Sequence, residues 1–370
     1  MYVQSFEKSL KGRYVNLKTI TPLLENIDKT VQVQKIGKSV EERTIYKISL
    51  GSGSIKVLMW SQMHGNESTT TKAVFDLINY LRNGSEEVKE ILTKCQLHII
   101  PMLNPDGAEV YTRENANKVD LNRDAQTLSQ PESIILRKTF DDICPHFCFN
   151  LHDQRTIFSA GNAPLPATIS FLAPAADKKH TVTESRKAAM KLIVAMNALL
   201  EHVILGQIGR YDDSFNSNCV GDTFQSMGVP TILFEAGHFQ YDYDREKTRE
   251  FIFYALIGAL NSISSDTLSQ YEHNSYFEIP ENQKKFYDVI IKNVHVIGDK
   301  EKRISAVGVL YKELLKKGAI KFIPQVEKIG DLSTYYAHKT IALSPSTISI
   351  HQKMITPDWV SQILKNNQSF

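Results

Sequence analysis

Short apolar runs recur along the first two thirds of the chain, each followed by a turn and then by an amphipathic stretch. Leu17 to Asp28 predicts a helix with Leu23, Leu24 and Ile27 on one face. VQVQKIG alternates and EERTIYKISLG follows it, so the two read as a hairpin-like pair of strands. After Gly51-Ser52-Gly53-Ser54, the run IKVLMWSQ reads as a buried central strand. Ser68 to Leu81 then predicts a helix with Ala73, Val74, Leu77, Ile78 and Leu81 on one side. CQLHIIPMLNPDG, HFCFNLHD, ISFLAPA and TILFEAG read as further strands. Pro131 opens a helix over ESIILRKTFDDI, and Thr181 to Val203 and Asp244 to Ile263 continue the helical series.

Strands alternating with helices predict an α/β fold, a mixed and largely parallel central sheet covered by helices on both faces. This unit is expected over residues 1–265. From residue 266 the character changes: SISSDTLSQYEHNS is polar and linker-like. FYDVIIKNVHVIG then reads as a strand, KRISAVGVLYKELLKKG as a helix, and AIKFIPQVEKIG and TIALSP as strands. Residues 266–370 are therefore expected to form a small α+β domain. Tyr335, Tyr336 and Lys339 offer it a partner surface, although a plain cap on the larger unit is the favoured reading.

Composition narrows the function classes. At 370 residues, 42% hydrophobic and 23% charged, the chain can bury a large core and does not read as disordered. Forty-three Lys and Arg against 41 Asp and Glu leave a net charge of +2, with no basic field for nucleic acid. The first twenty residues carry Glu7, Lys8, Lys11 and Arg13 and lack the apolar core of a secretory signal. Phe251 to Leu260, the longest apolar run, is too short to cross a membrane. Cys95, Cys144, Cys148 and Cys219 are too few for a disulfide framework, and Cys144/Cys148 has no matching second pair for a metal. Reduced structural thiols in a cytoplasmic protein are the expectation.

The chemistry-bearing residues cluster by position. In open sheets of this kind ligands bind beyond the carboxyl ends of the strands. His64 and Glu67, Asn104 to Asp106, His152 and Glu235 are all expected at such ends. Two histidines, one glutamate and an open fourth position form the ligand set of a catalytic zinc site. Taken singly, His64 reads more simply as a turn histidine, His152 as a core or turn histidine, and Glu235 as a strand-end acid. Recurrence of one architectural position joins them.

Met63-His64-Gly65-Asn66-Glu67, Asn104-Pro105-Asp106-Gly107, Asp120-Leu121-Asn122-Arg123, Leu151-His152 and Phe234-Glu235, in that order, resemble the zinc carboxypeptidases of the M14 family. The likeness runs from roughly Val31 to Ile263 and favours a short-loop, cytosolic-type member. It implies that His64, Glu67 and His152 bind one zinc ion, and that Glu235 is the general base and acid for a zinc-activated water. It implies that Arg113 polarises the scissile carbonyl and that Asn122 and Arg123 hold the substrate's terminal carboxylate. The substrate would be a peptide or acylated amino acid, with neither nucleic acid nor membrane as partner. Asp106 is open between orienting a ligand histidine and shaping its own turn.

The chain also departs from the family. Asp124-Ala125 replaces the usual aromatic after Asn-Arg, and the tyrosine that closes over substrate has no assigned counterpart, although Arg210 to Phe215 lies near its place. The specificity region, Cys219 to Thr223, is small and polar with no arginine. An aspartoacylase-like N-acyl amino acid deacylase, or a non-catalytic binding protein on the same fold, are the competing readings.

Overall fold

The computed structural model describes residues 1–28, 30–297, 302–344 and 349–367; Gly298 and Pro345, at the ends of two expected strands, lie outside them. The strands are β1 (Gln32–Lys38), β2 (Thr44–Leu50), β3 (Ile55–Ser61), β4 (Cys95–Ile100), β5 (Phe147–Asp153), β6 (Phe158–Ala160), β7 (Ile169–Leu172), β8 (Ile208–Arg210) and β9 (Thr231–Ala236), followed by β10 (Asn282–Lys284), β11 (Phe286–Ile297), β12 (Lys302–Lys316), β13 (Ala319–Gly330), β14 (Tyr336–Ala342) and β15 (Ile350–His351). The helices are α1 (Tyr2–Ser5), α2 (Leu17–Glu25), α3 (Thr69–Tyr80), α4 (Glu86–Lys94), α5 (Pro105–Val110), α6 (Pro131–Ile143), α7 (Glu184–Leu200), α8 (Val220–Ser226), α9 (Glu246–Ser264) and α10 (Pro357–Asn366).

Eight strands form one sheet in the order β1-β2-β4-β3-β5-β9-β7-β8. β3, β4, β5 and β9 run parallel at its centre, and the hairpin β1–β2 and strand β7 add antiparallel neighbours. The central strands are apolar on both faces because helices cover both. Residues of α3, α7 and α9 pack on one face with Met59, Phe149 and Phe234. Leu136 and Phe140 of α6 and Phe224 of α8 pack on the other with Leu58 and Trp60. Local chemistry sets several helix starts: Asn16 and Thr19 make a reciprocal capping box for α2, and Pro131 occupies the first turn of α6.

One expectation fails. KRISAVGVLYKELLKKG is not a helix; it supplies strand β12, paired antiparallel with both β11 and β13. Its Leu, Lys and Glu favour helix locally. As a strand, however, it turns Val307 and Val309 into one apolar cluster and Leu310 toward another, and that pairing overrides propensity. Helices α4 and α10 form in segments where none was expected.

The second sheet lies against the first unit through specific polar contacts. Glu313 of β12 pairs with Arg13 at 3.1 Å and accepts from the Tyr111 hydroxyl. Asp288 of β11 accepts from Tyr243 at 2.9 Å, and His338 of β14 meets the Thr156 carbonyl at 2.8 Å. β10 pairs with β6.

The amino-terminal segment is pinned from the far end of the larger unit. Arg249 of α9 donates twice to Asp76 of α3, each at 2.6 Å, and also bonds the carbonyls of Glu7 and Leu10. Both side chains are fully buried. Arg249→Leu leaves Asp76 as an uncompensated buried charge, so unfolding free energy from urea denaturation should fall by about 3–5 kcal/mol; a change under about 1 kcal/mol would mean the pair is dispensable.

Candidate active site

The expected ends of β3, β5 and β9 meet at one cavity, whereas Asn104, after β4, bonds the carbonyls of Met63 and Arg113. The chain leaves β3 through Gln62, whose φ of +50° lies in the left-handed region. The Gln62 amide fixes this turn by donating to the carbonyls of Val15 and Gly65, at 2.7 and 2.8 Å. Gly65 lies directly on the backbone of Gly107, where a Cβ would come within 2.0 Å of a carbonyl carbon, so the turn admits no side chain there. This holds His64 and Glu67 inward. His152 arrives on β5, and the parallel register with β9 sets Glu235 beside it.

Glu67 stands between the two imidazoles. His64 Nδ1 is 2.8 Å from Glu67 Oε1, His152 Nδ1 is 2.8 Å from Oε2, and the two Nδ1 atoms are 3.1 Å apart. All three side chains are buried, and their ligand atoms lie within 4.8 Å of one another. Burial alone would raise the Glu67 pKa, but the two histidines outweigh it and hold the carboxyl well below its usual range. Burial works against a charged His64, yet Glu67 and Asp120 raise its pKa on balance; His152 is lowered, chiefly by burial. An anionic carboxylate facing two ring nitrogens is the donor set that a divalent metal of the zinc type replaces protons in.

Asp120 answers the question left open for Asp106. Asp120 Oδ1 lies 3.0 Å from His64 Nε2, on the side of the ring away from Glu67. A carboxylate there fixes the ring's orientation and tautomer. Asp106 bonds instead to the Ser39 hydroxyl (2.7 Å), the Glu41 amide (2.9 Å) and Arg43 (2.7 Å), tying the β1–β2 turn to α5. The signal for Asp120 was in the sequence, two residues before Asn122.

Arg113 donates to Asp120 at 3.0 Å and reaches to 3.4 Å from Glu67. Asn122 accepts from the Val220 amide at 3.0 Å, and Arg123 stays exposed. With His64, His152, Glu235 and Arg113, these residues line one cavity of about 480 Å³. Glu235 is buried, and burial, with Glu67 and Asp153 nearby, drives its pKa well above the usual carboxylate value. Tyr211 and Asp222 are among the other residues that line the cavity. Tyr211, in the segment near the unassigned tyrosine, is pushed up mainly by burial; Asp222, within the specificity region, is pushed up to about 6 for the same reason.

A buried His-Glu-His cluster at the carboxyl end of a mixed α/β sheet is a candidate site for one metal ion. Residues 17–152 match the family model described as zinc carboxypeptidase. The catalytic chain of human carboxypeptidase N is 31% identical over a match covering 26% of this chain and 26% of that protein. Carboxypeptidase 2 of Trichophyton rubrum is 29% identical over 30% of this chain and 20% of its own length. The chain thus spans about a quarter of the length of these curated relatives. Among solved structures, a metallo-carboxypeptidase from Burkholderia cenocepacia shares the fold with a TM-score of 0.54 at 18% identity, over 66% of this chain and 67% of that one.

If the cluster holds the metal, purified protein should carry about one zinc per chain and His152→Ala should lose it, as read by atomic absorption. Full occupancy in a folded His152→Ala variant would remove His152 from the ligand set.

Proposed function

We propose that the protein is a zinc-dependent hydrolase of the carboxypeptidase class, cleaving an amide bond beside a free terminal carboxylate. One observation carries this reading: His64, Glu67 and His152 converge on the cavity that also holds Glu235, Arg113, Asn122 and Arg123. His64, Glu67 and His152 would hold the zinc, which would supply a water with a pKa of about 7 and a Lewis acid for the carbonyl.

The remaining chemistry belongs to the side chains. Arg123 and Asn122 grip the terminal carboxylate, the guanidinium through a charge-assisted pair. That fixes the distance from the chain end to the bond that is cut. Arg113 sets its positive charge where negative charge grows on the carbonyl oxygen. Glu235 takes the proton of the attacking water and returns it to the leaving amine; burial beside Glu67 and Asp153 raises its pKa from the ordinary carboxylate value. The peptide is the substrate class that the family resemblance supports. Four unpaired cysteines, Cys144 among them exposed, support a reducing compartment such as the cytoplasm. Among the described residues no helix is long and apolar enough to cross a membrane.

Two substitutions separate the roles. Glu235→Gln should keep its zinc while kcat falls by about 100-fold or more; near-normal turnover would remove Glu235 from proton transfer. Arg123→Ala should raise KM for peptides with a free terminal carboxylate far more than for the amidated forms. Equal effects on both would show that Arg123 does not read the carboxylate.

A further inference from the structure

A second cavity, of about 340 Å³, opens off the first, and the two share Glu67, Arg113, Asp153, Gln154 and Arg155. Its far wall comes from the second sheet: Leu310, Tyr311 and Glu313 of β12, Phe322 of β13 and Asp288 of β11. Asn122, Arg123 and Glu235 line the first cavity and not the second.

This layout has a direction. A substrate anchored by its terminal carboxylate at Asn122 and Arg123 brings its scissile carbonyl to the metal ligands and Arg113. The half of the substrate on the acyl side then continues past Glu67 and Arg113, which is where the second cavity begins. Another recess, beside Lys284 and Tyr335, meets the first cavity only at Phe158, Tyr211, Asp212 and Lys284, none of them a member of the metal cluster.

The wall's two carboxylates are already engaged. Glu313 is held by Arg13 and Tyr111, and Asp288 accepts from Tyr243 and, at 2.7 Å, from the Tyr311 amide. Beside these carboxylates that wall carries a group of rings: Tyr243 lies 5.3 Å from Tyr311 and 5.2 Å from Phe322, centroid to centroid, and the last two are half-buried. Half-buried rings bordering a cavity gain by covering apolar surface.

We infer that the second sheet is part of the substrate site: Tyr311 and Phe322 form the subsite for a large apolar or aromatic side chain on the residue before the scissile bond. The substrates are accordingly peptides selected on both sides of the cut. This rests on the hydrolase reading above.

The test uses the full chain with zinc and pairs of acetylated tripeptides that share a C-terminal residue and carry either Gly or Phe before it. The wild-type protein should favour Phe in kcat/KM by about tenfold or more, and Tyr311→Ala and Phe322→Ala should each bring that ratio to within about threefold. Circular dichroism and zinc content check that each variant is folded; if an alanine variant is not, Tyr311→Leu or Phe322→Leu takes its place and should lower the ratio. An unchanged ratio in folded, zinc-loaded variants, or no preference in the wild type, overturns the subsite and leaves the hydrolase reading standing. Failure of the wild-type protein to cut any free-acid peptide overturns the hydrolase reading and the subsite with it.

Discussion

Glu67 is a largely buried carboxylate with both oxygens engaged by imidazole nitrogens. A buried charge of this kind is costly unless every neighbour is placed to meet it. The surrounding structure can be understood as that placement. β3 and β5 must lie side by side and parallel, so that the turn after Ser61 and the end of β5 reach the same point. Asp120 must stand behind His64, and Arg113 must bridge Asp120 to Glu67. Behind His152, Asp153 accepts from the amides of Thr69 and Thr70 at the start of α3, where a helix amino terminus favours negative charge.

Most of the larger unit was legible because its pattern is written in neighbouring residues. Apolar runs such as IKVLMWSQ and TILFEAG are buried on both faces and read as central strands, and the one-sided stripes of α3 and α7 read as helices. The site was legible for a related reason: His64, Glu67, His152 and Glu235 each follow or end such a run, and the fold rule for strand ends brings them together. What escaped was set by partners far off in sequence. β12 has helix-forming residues and is a strand because β11 and β13 flank it. Asp106 and Asp120 each sit at the start of a short helix, and the packing of the chain shows which of them reaches His64.

The same distinction applies to the second sheet. Its strands were partly visible, but nothing local indicates that Glu313 pairs with Arg13, some 300 positions earlier, or that Asp288 meets Tyr243. These contacts put ionised and hydroxyl groups into a junction where an unpaired one would be expensive, so they specify how the two sheets meet more than they strengthen the meeting. The outcome is a wall beside the metal cluster made from residues that a reading of the larger unit alone would omit.

The clamp around Arg249 bears on how the protein comes into being. The carbonyl of Leu10 waits for a guanidinium 239 residues later in the chain. At a synthesis rate of about 5–20 residues per second, that partner emerges on the order of ten to fifty seconds after the segment it holds. Until then Asp76 has no counter-charge and α3 cannot be sealed into the core at low cost. The sheet's first strands therefore spend their early life without a closed outer layer.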